Sequence, residues 1–125
     1  MELSGITHKL EANADKLGIG IGFLGVPALM GGGNVLGYYQ NVLQGLATNP
    51  HVPDFGRVFQ VLTDASTKEG SFFMGGIEAA IIGWILKEVD ISPMLGRIGN
   101  VAQKAGIGAA EATAALTVIE YAGAF

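Results

Sequence analysis

The sequence contains no cysteine, and only 14% of its 125 residues are charged. The absence of thiols excludes disulfides, thiolate metal sites and thiol catalysis. Between Lys16 and Asp54 there is no charged residue at all, whereas about 25% of the residues of an ordinary soluble domain are charged. A run of this length without charge favours contact with lipid or with other helices over contact with water.

Basic residues and catalytic groups are also scarce. Seven Lys and Arg against eleven Asp and Glu give a net charge of −4, and no basic cluster of the kind that neutralises phosphates is present. We therefore expect no sequence-specific nucleic-acid binding. His8 and His51 form no recognisable ligand pair, and no Ser or Thr stands beside a plausible base. We expect neither a metal site nor an enzyme.

The segment Gly20-x-Gly22-x-x-Gly25 matches the dinucleotide-binding pattern in its letters alone. That pattern works between a strand and a helix, with an acidic residue about 20 positions later. Here an amphipathic helix precedes it and no acidic residue follows before Asp54. Helix packing is the better interpretation of these glycines.

Hydrophobic residues make up 50% of the chain, and the mean hydropathy is +0.44. They recur at helical spacing, and no alternating strand pattern competes with them. This predicts a single all-α domain: an apolar, Gly/Ala-rich helical hairpin with additional N-terminal amphipathic helices, packed in a helical assembly. The predicted segments are an amphipathic helix over 1–16, a broken apolar helix over 17–48, a short helix over 54–65, an apolar helix over 67–89 and a C-terminal helix over 92–123.

Local signals support these boundaries. Pro27 and the glycines at 31–33 break or bend the 17–48 segment, and Asn34 caps its second piece. Asp54 caps the short helix, and Ser66 with Glu69 resembles a capping box for the helix that follows.

Small residues recur four positions apart, which gives helices smooth strips where another backbone can approach closely. The repetition predicts dense helix packing. The candidate packing residues are Gly18, Gly22, Gly33, Gly37, Gly75, Ala79, Ala110 and Ala114.

Three carboxylates lie inside apolar tracts: Glu78, Glu111 and Glu120. A charge at the centre of a membrane costs at least ~2.5 kcal/mol and is usually paired or functional. The pattern therefore favours helices packed against one another, with the carboxylates at polar seams. An alternative reading is a membrane ring that translocates ions, with Glu78 or Glu111 as the carrier.

The second half, residues 71–125, consists of two apolar Gly/Ala-rich helices joined by a short polar connection with Lys87, Arg97 and Lys104 nearby. This layout resembles the pilins of bacterial conjugation and type IV secretion systems and the related archaeal DNA-import pili. The resemblance implies a helical hairpin that is stored in the membrane, assembled into a tube and accompanied by lipid. It also implies that Lys87, Arg97 and Lys104 contact lipid headgroups or the lumen. The hairpin could instead join the 17–47 and 71–86 tracts.

The leading hypothesis is a structural subunit of an extracellular tubular filament, a homo-oligomer that resides in the cell membrane before assembly. Bound phospholipid or tetraether lipid is the expected companion. Transient single-stranded DNA in the lumen, and hence a role in DNA transfer, follows from the resemblance alone. The alternatives are a small polytopic membrane protein forming an ion-translocating ring or pore, and a helical coat protein of a lipid-containing archaeal virus.

Overall fold

The computed structural model describes residues 5, 9–89 and 91–123, and this part of the chain is all-α, without any strand. The predicted fold class is therefore confirmed. The helices are α1 (Ala14–Met30), α2 (Val35–Thr48), α3 (Phe55–Leu62), α4 (Lys68–Glu88) and α5 (Pro93–Gly123).

The N-terminal boundary differs from the prediction. Residues 9–12 are helical and a turn at Asn13 separates them from α1, so the break falls three residues before the predicted one at 16/17. Residues 1–4 and 6–8 of the predicted helix over 1–16 lie outside the described residues.

The broken apolar segment divides where its glycines predict. α1 ends at Met30 with Gly31 as its C-cap, and Gly32 and Gly33 adopt positive φ angles of 61° and 97°, which glycine reaches without a steric penalty. The two helices meet at an angle of 87°. The break therefore turns α2 almost perpendicular to α1.

Pro27 lies inside α1 rather than at the break. Proline has no N–H, so the carbonyl four residues earlier loses its helical partner. That carbonyl belongs to Phe23, and the Tyr39 hydroxyl of α2 donates a hydrogen bond of 2.5 Å to its oxygen. The bend after α1 thus brings in a replacement donor for the bond that Pro27 removes.

Side-chain caps begin α2, α3 and α4. Asn34 accepts from the Gly37 N–H at 2.9 Å, and Asp54 accepts from the Arg57 N–H at 3.2 Å. For α4 the predicted capping box is wrong, because Thr67 is the cap and accepts from the Gly70 N–H at 2.9 Å.

The neighbouring Ser66 bonds Asp64 instead. α5 begins with Pro93, and the preceding Ser92 hydroxyl accepts from the Leu95 N–H at 3.1 Å.

α4 and α5 form an antiparallel hairpin with close backbone contact. A Cβ placed on Gly76 would lie 2.6 Å from the Gly106 carbonyl oxygen, and one on Gly99 would lie 2.5 Å from the Gly83 carbonyl oxygen. Only glycine permits such an approach. The predicted hairpin over the second half is therefore the one observed, rather than the alternative between the 17–47 and 71–86 tracts.

α1 packs along another face of α5 and runs parallel to it. Gly18 lies against the Ala105 backbone and Gly22 against Ala109, while a Cβ on Gly108 would lie 2.8 Å from the Asp15 carbonyl oxygen. α2 then crosses the C-terminal end of α5. The core at this crossing contains Val26, Tyr38, Val42 and Leu116.

Candidate functional site

The outward faces of the α4–α5 hairpin are apolar and uncovered. Trp84 is 51% exposed, and it stands among other large hydrophobic side chains that are also exposed. Those on α4 are Ile77, Ile81, Ile82 and Ile85, and those on α5 are Met94, Ile98, Ile107 and Ile119. Exposed apolar side chains in this number favour contact with protein or membrane over contact with water.

Part of this surface forms an open groove of about 620 Å³ between α4 and α5. Its lining is almost wholly hydrophobic, with Gln103 and Glu111 as the polar members. The lining side chains of α4 are Phe73, Ile77, Ala80, Ile81 and Trp84, and those of α5 include Ile107, Ala110 and Ala114. We call this the hairpin groove.

A second groove, of about 390 Å³, lies where α1, α4 and α5 meet. Small residues line most of it, including Gly75, Gly76, Ala79, Ala105 and Gly106. The second groove is therefore shaped by the same close helix packing that builds the hairpin.

The predicted basic residues do not form a single cluster around the connection. The Lys87 ammonium donates a 3.2 Å hydrogen bond to the amide oxygen of Gln103, which lines the hairpin groove. Lys104 instead lines a cavity of about 260 Å³ between α1 and α5, together with Asp15, and this cavity shares Ile107 and Glu111 with the hairpin groove. Arg97 precedes Lys104 by seven residues, about two helical turns, and so shares its face of α5. Lys87 is the basic residue that bonds a lining residue of the hairpin groove.

The predicted packing residues divide into two groups. Gly18 and Gly22 contact α5, Ala79 contacts Gly106, and Ala110 contacts Gly76. Ala114 lines the hairpin groove.

Three of the predicted glycines do not pack against another helix within the described chain. Gly33 lies in the turn between α1 and α2, and Gly37 lies beside the side chain of Asn34, the N-cap of α2. A Cβ on Gly75 would meet nothing within 4 Å. Three glycines outside the predicted set, Gly83, Gly99 and Gly108, also make close contacts with a neighbouring helix. The sequence does not predict them, because period-four spacing does not show which helix face is covered.

A buried polar cluster, which we call the carboxyl cluster, lies at the C-terminal end of α5. It consists of Tyr38 from α2, Glu69 from α4 and Glu120 from α5. The Tyr38 hydroxyl donates a hydrogen bond to Glu120 Oε1, and the Glu69 carboxyl lies close enough to act on Glu120. Burial, together with the neighbouring Glu69 carboxyl, raises the pKa of Glu120 to about 7.

Sequence reasoning did not find this cluster. The sequence pattern predicts a helix cap that includes Glu69, and it predicts that Glu120 lies at a polar seam between helices. The three residues are far apart in the sequence, and no local spacing joins them. The burial of Glu120 inside the chain, rather than at a seam, follows from the crossing of α2 over α5.

Only one described helix, α4, is long and apolar enough to cross a membrane. The bent pair α1 and α2 passes the same test only if both helices count as one span. Within residues 9–89 and 91–123, no group of three or more His, Asp or Glu side chains is arranged to hold a metal ion. The hairpin groove and the surrounding apolar faces are therefore the main candidate site.

Comparison with known proteins returned no matching family model, no matching curated protein and no matching solved structure.

Proposed function

We propose that the chain is a structural subunit of an extracellular tubular filament, similar to conjugation pili, whose apolar helices are covered by other copies of the chain and by lipid. The observation that carries this proposal is the uncovered apolar surface of the α4–α5 hairpin, which Glu78 and Glu111 interrupt. No catalytic step is part of the proposed role.

The size of the uncovered surface supports assembly. Burying one large aliphatic or aromatic side chain stabilises by about 1.5–3 kcal/mol, and α4 alone exposes Ile77, Ile81, Ile82, Trp84 and Ile85. Even partial coverage of such a face offsets a large share of the entropic cost of association. A subunit with this surface is therefore more stable in contact with an apolar partner than in water.

The two carboxylates favour other copies of the chain over lipid as the main cover. Glu78 and Glu111 are exposed on helix faces that are otherwise apolar. In lipid each would cost at least ~2.5 kcal/mol, whereas a neighbouring subunit can present Lys or Arg to them. Contacts between two different faces that do not close into a ring generate a filament.

Lipid fits the space that helices leave open. The hairpin groove is apolar except for Gln103 and Glu111, and the Lys87 ammonium bonds the side chain of Gln103. An acyl chain could lie in this groove while the ammonium of Lys87 binds a phosphate by a charge-assisted hydrogen bond. Phospholipid and tetraether lipid share this chemistry. Passage of single-stranded DNA through the tube is the part of the proposal that rests on the pilin resemblance alone.

A second candidate is a small membrane protein that forms an ion-translocating ring or pore. The length and apolar character of α4 favour it, and Glu78 or Glu111 would then carry the ion. In that case Glu78→Gln or Glu111→Gln would abolish transport while leaving the oligomer intact.

Electron microscopy of the native material, with lipid extraction and mass spectrometry on the same preparation, tests the proposal. We expect long, thin tubes with roughly stoichiometric lipid and no nuclease-protected nucleic acid. Closed rings would support the membrane-protein candidate, and particles containing protected nucleic acid would support a viral coat. Either result would overturn the filament proposal.

A pair of variants localises the assembly surface. Ile81→Asp places a charge in the hairpin groove, and we expect it to abolish filaments. Val52→Asp makes the same kind of change at a loop side chain that is 82% exposed, and filaments should persist. Equal loss of filaments in both variants would show that the hairpin groove is not the assembly surface.

A further inference from the structure

The carboxyl cluster has few groups that could stabilise two negative charges. Glu120 is 2% exposed and Glu69 is 7% exposed. The Tyr38 hydroxyl is the O–H donor to Glu120. Two carboxylates that face each other in a buried site cannot both ionise at low cost.

Nearby hydroxyls are already engaged by the backbone. Thr113 and Thr117 are fully buried and lie on the same face of α5 as Glu120. Their hydroxyls donate to the carbonyl oxygens of Ala109 at 2.7 Å and of Thr113 at 2.8 Å, respectively. Neither proton is directed at the carboxyl cluster.

The titratable groups on the surrounding elements do not neutralise it either. The Lys68 ammonium of α4 donates to the Leu29 carbonyl oxygen at 3.1 Å. Arg57 of α3 and His51 in the preceding loop are exposed, and the Tyr39 hydroxyl of α2 donates to Phe23. The interactions that act on Glu120 come from Tyr38 and Glu69.

We propose that the buried Glu120 carboxyl holds a proton in the folded chain, and that this proton is a pH-sensitive lock holding α2 and the start of α4 against the end of α5. With the proton present, the buried Glu120 carboxyl is uncharged beside Glu69 and still accepts the hydrogen bond of the Tyr38 hydroxyl. Without it, two carboxylates face each other in a buried site, and the junction loosens.

The part of the chain that would move is defined by the fold. α2 reaches the end of α5 through Tyr38 and through the close approach of Gly123 to Gly45. At its other end it joins α1 through Gly32 and Gly33, whose positive φ angles form a hinge free of side chains. A shift of α2 relative to α5 would pivot at this turn.

The direction of the pH effect follows from proton linkage. The pKa of Glu120 is about 7 in the folded chain, against an ordinary value of 4.5. Between these values the folded state holds more protons than the unfolded state, so stability falls as pH rises from about 4.5 to 7 and levels off above that range.

The test is chemical denaturation between pH 4.5 and 9, followed by circular dichroism, on the wild type, Glu120→Gln and Glu111→Gln. Glutamine mimics the protonated carboxyl, so Glu120→Gln should remove most of the pH dependence. Glu111→Gln changes an exposed carboxyl of the same helix and should keep it. Because histidines titrate in the same range, the measured quantity is the difference between the wild type and each variant.

A second measurement keeps the proposal falsifiable if Glu120→Gln does not fold. The wild type should show the infrared band of a protonated carboxyl at pH 6 and lose it at pH 8. Hydrogen exchange in α2, corrected for the intrinsic rate, should increase over the same interval. An unchanged band, or equal pH dependence in wild type and Glu120→Gln, would overturn the proposal. The lock belongs to the single chain, so its failure would leave the proposed filament unaffected.

Discussion

The adjacent glycines Gly75 and Gly76 of α4 should respond to alanine with opposite signs. A Cβ on Gly76 would lie 2.6 Å from the Gly106 carbonyl oxygen and 3.1 Å from the Ala110 nitrogen. Both atoms belong to the backbone of α5, so the two helices must move apart. A Cβ on Gly75 would meet nothing within 4 Å. The pair therefore separates helix propensity from interhelical packing.

The magnitudes follow from these two terms. Overpacking a well-packed contact costs about 1–3 kcal/mol, and a contact with backbone belongs in the upper part of that range. Replacing glycine by alanine inside a helix stabilises the helix by about 1 kcal/mol. Gly76→Ala should thus destabilise the chain by about 1–2 kcal/mol, whereas Gly75→Ala should stabilise it by about 0.5–1 kcal/mol.

Thermal unfolding followed by circular dichroism measures both variants under the same solution conditions. At this chain length we expect Tm to fall by roughly 4–8 °C for Gly76→Ala and to rise by a few degrees for Gly75→Ala. A rise of Tm in both variants would show that α4 and α5 are not in backbone contact at Gly76. That result would refute the close-packed hairpin.

Two further predictions concern the core and the groove. Leu116→Ala removes a core side chain that is 2% exposed, and it should lower the free energy of unfolding in denaturant titrations by about 2–5 kcal/mol. Leu36→Ala is the control at a side chain that is 69% exposed, and it should change the same free energy by less than about 0.5 kcal/mol. Lys87→Glu should reduce the phospholipid-to-protein ratio in extracted filaments, and Lys16→Glu, at an exposed position of α1, should leave it unchanged. Equal lipid loss in both variants would contradict the assignment of Lys87 to the hairpin groove.

Local chemistry in the sequence was enough to predict the helices and most of their ends. Asn34 and Asp54 cap the helices that follow them, and the glycines after Met30 end α1. These signals are local because a cap or a positive φ depends on a few neighbouring atoms. The same reasoning chose Ser66 instead of Thr67, since both residues suit a cap and the turn at Asp64 decides between them.

The low charge content and the all-α class are thus properties that the sequence determines by itself, whereas the choice between the two possible hairpins depends on the packing of α4 on α5. Only the tertiary structure decided which small residues pack inside the chain, since Gly75 and Gly76 are equivalent in composition and differ only in the face they occupy. It also decided that Glu111 lines an open groove while Glu120 is buried against Glu69 and Tyr38. The reason is physical: propensity and capping act over a few residues, whereas burial depends on which helices cross.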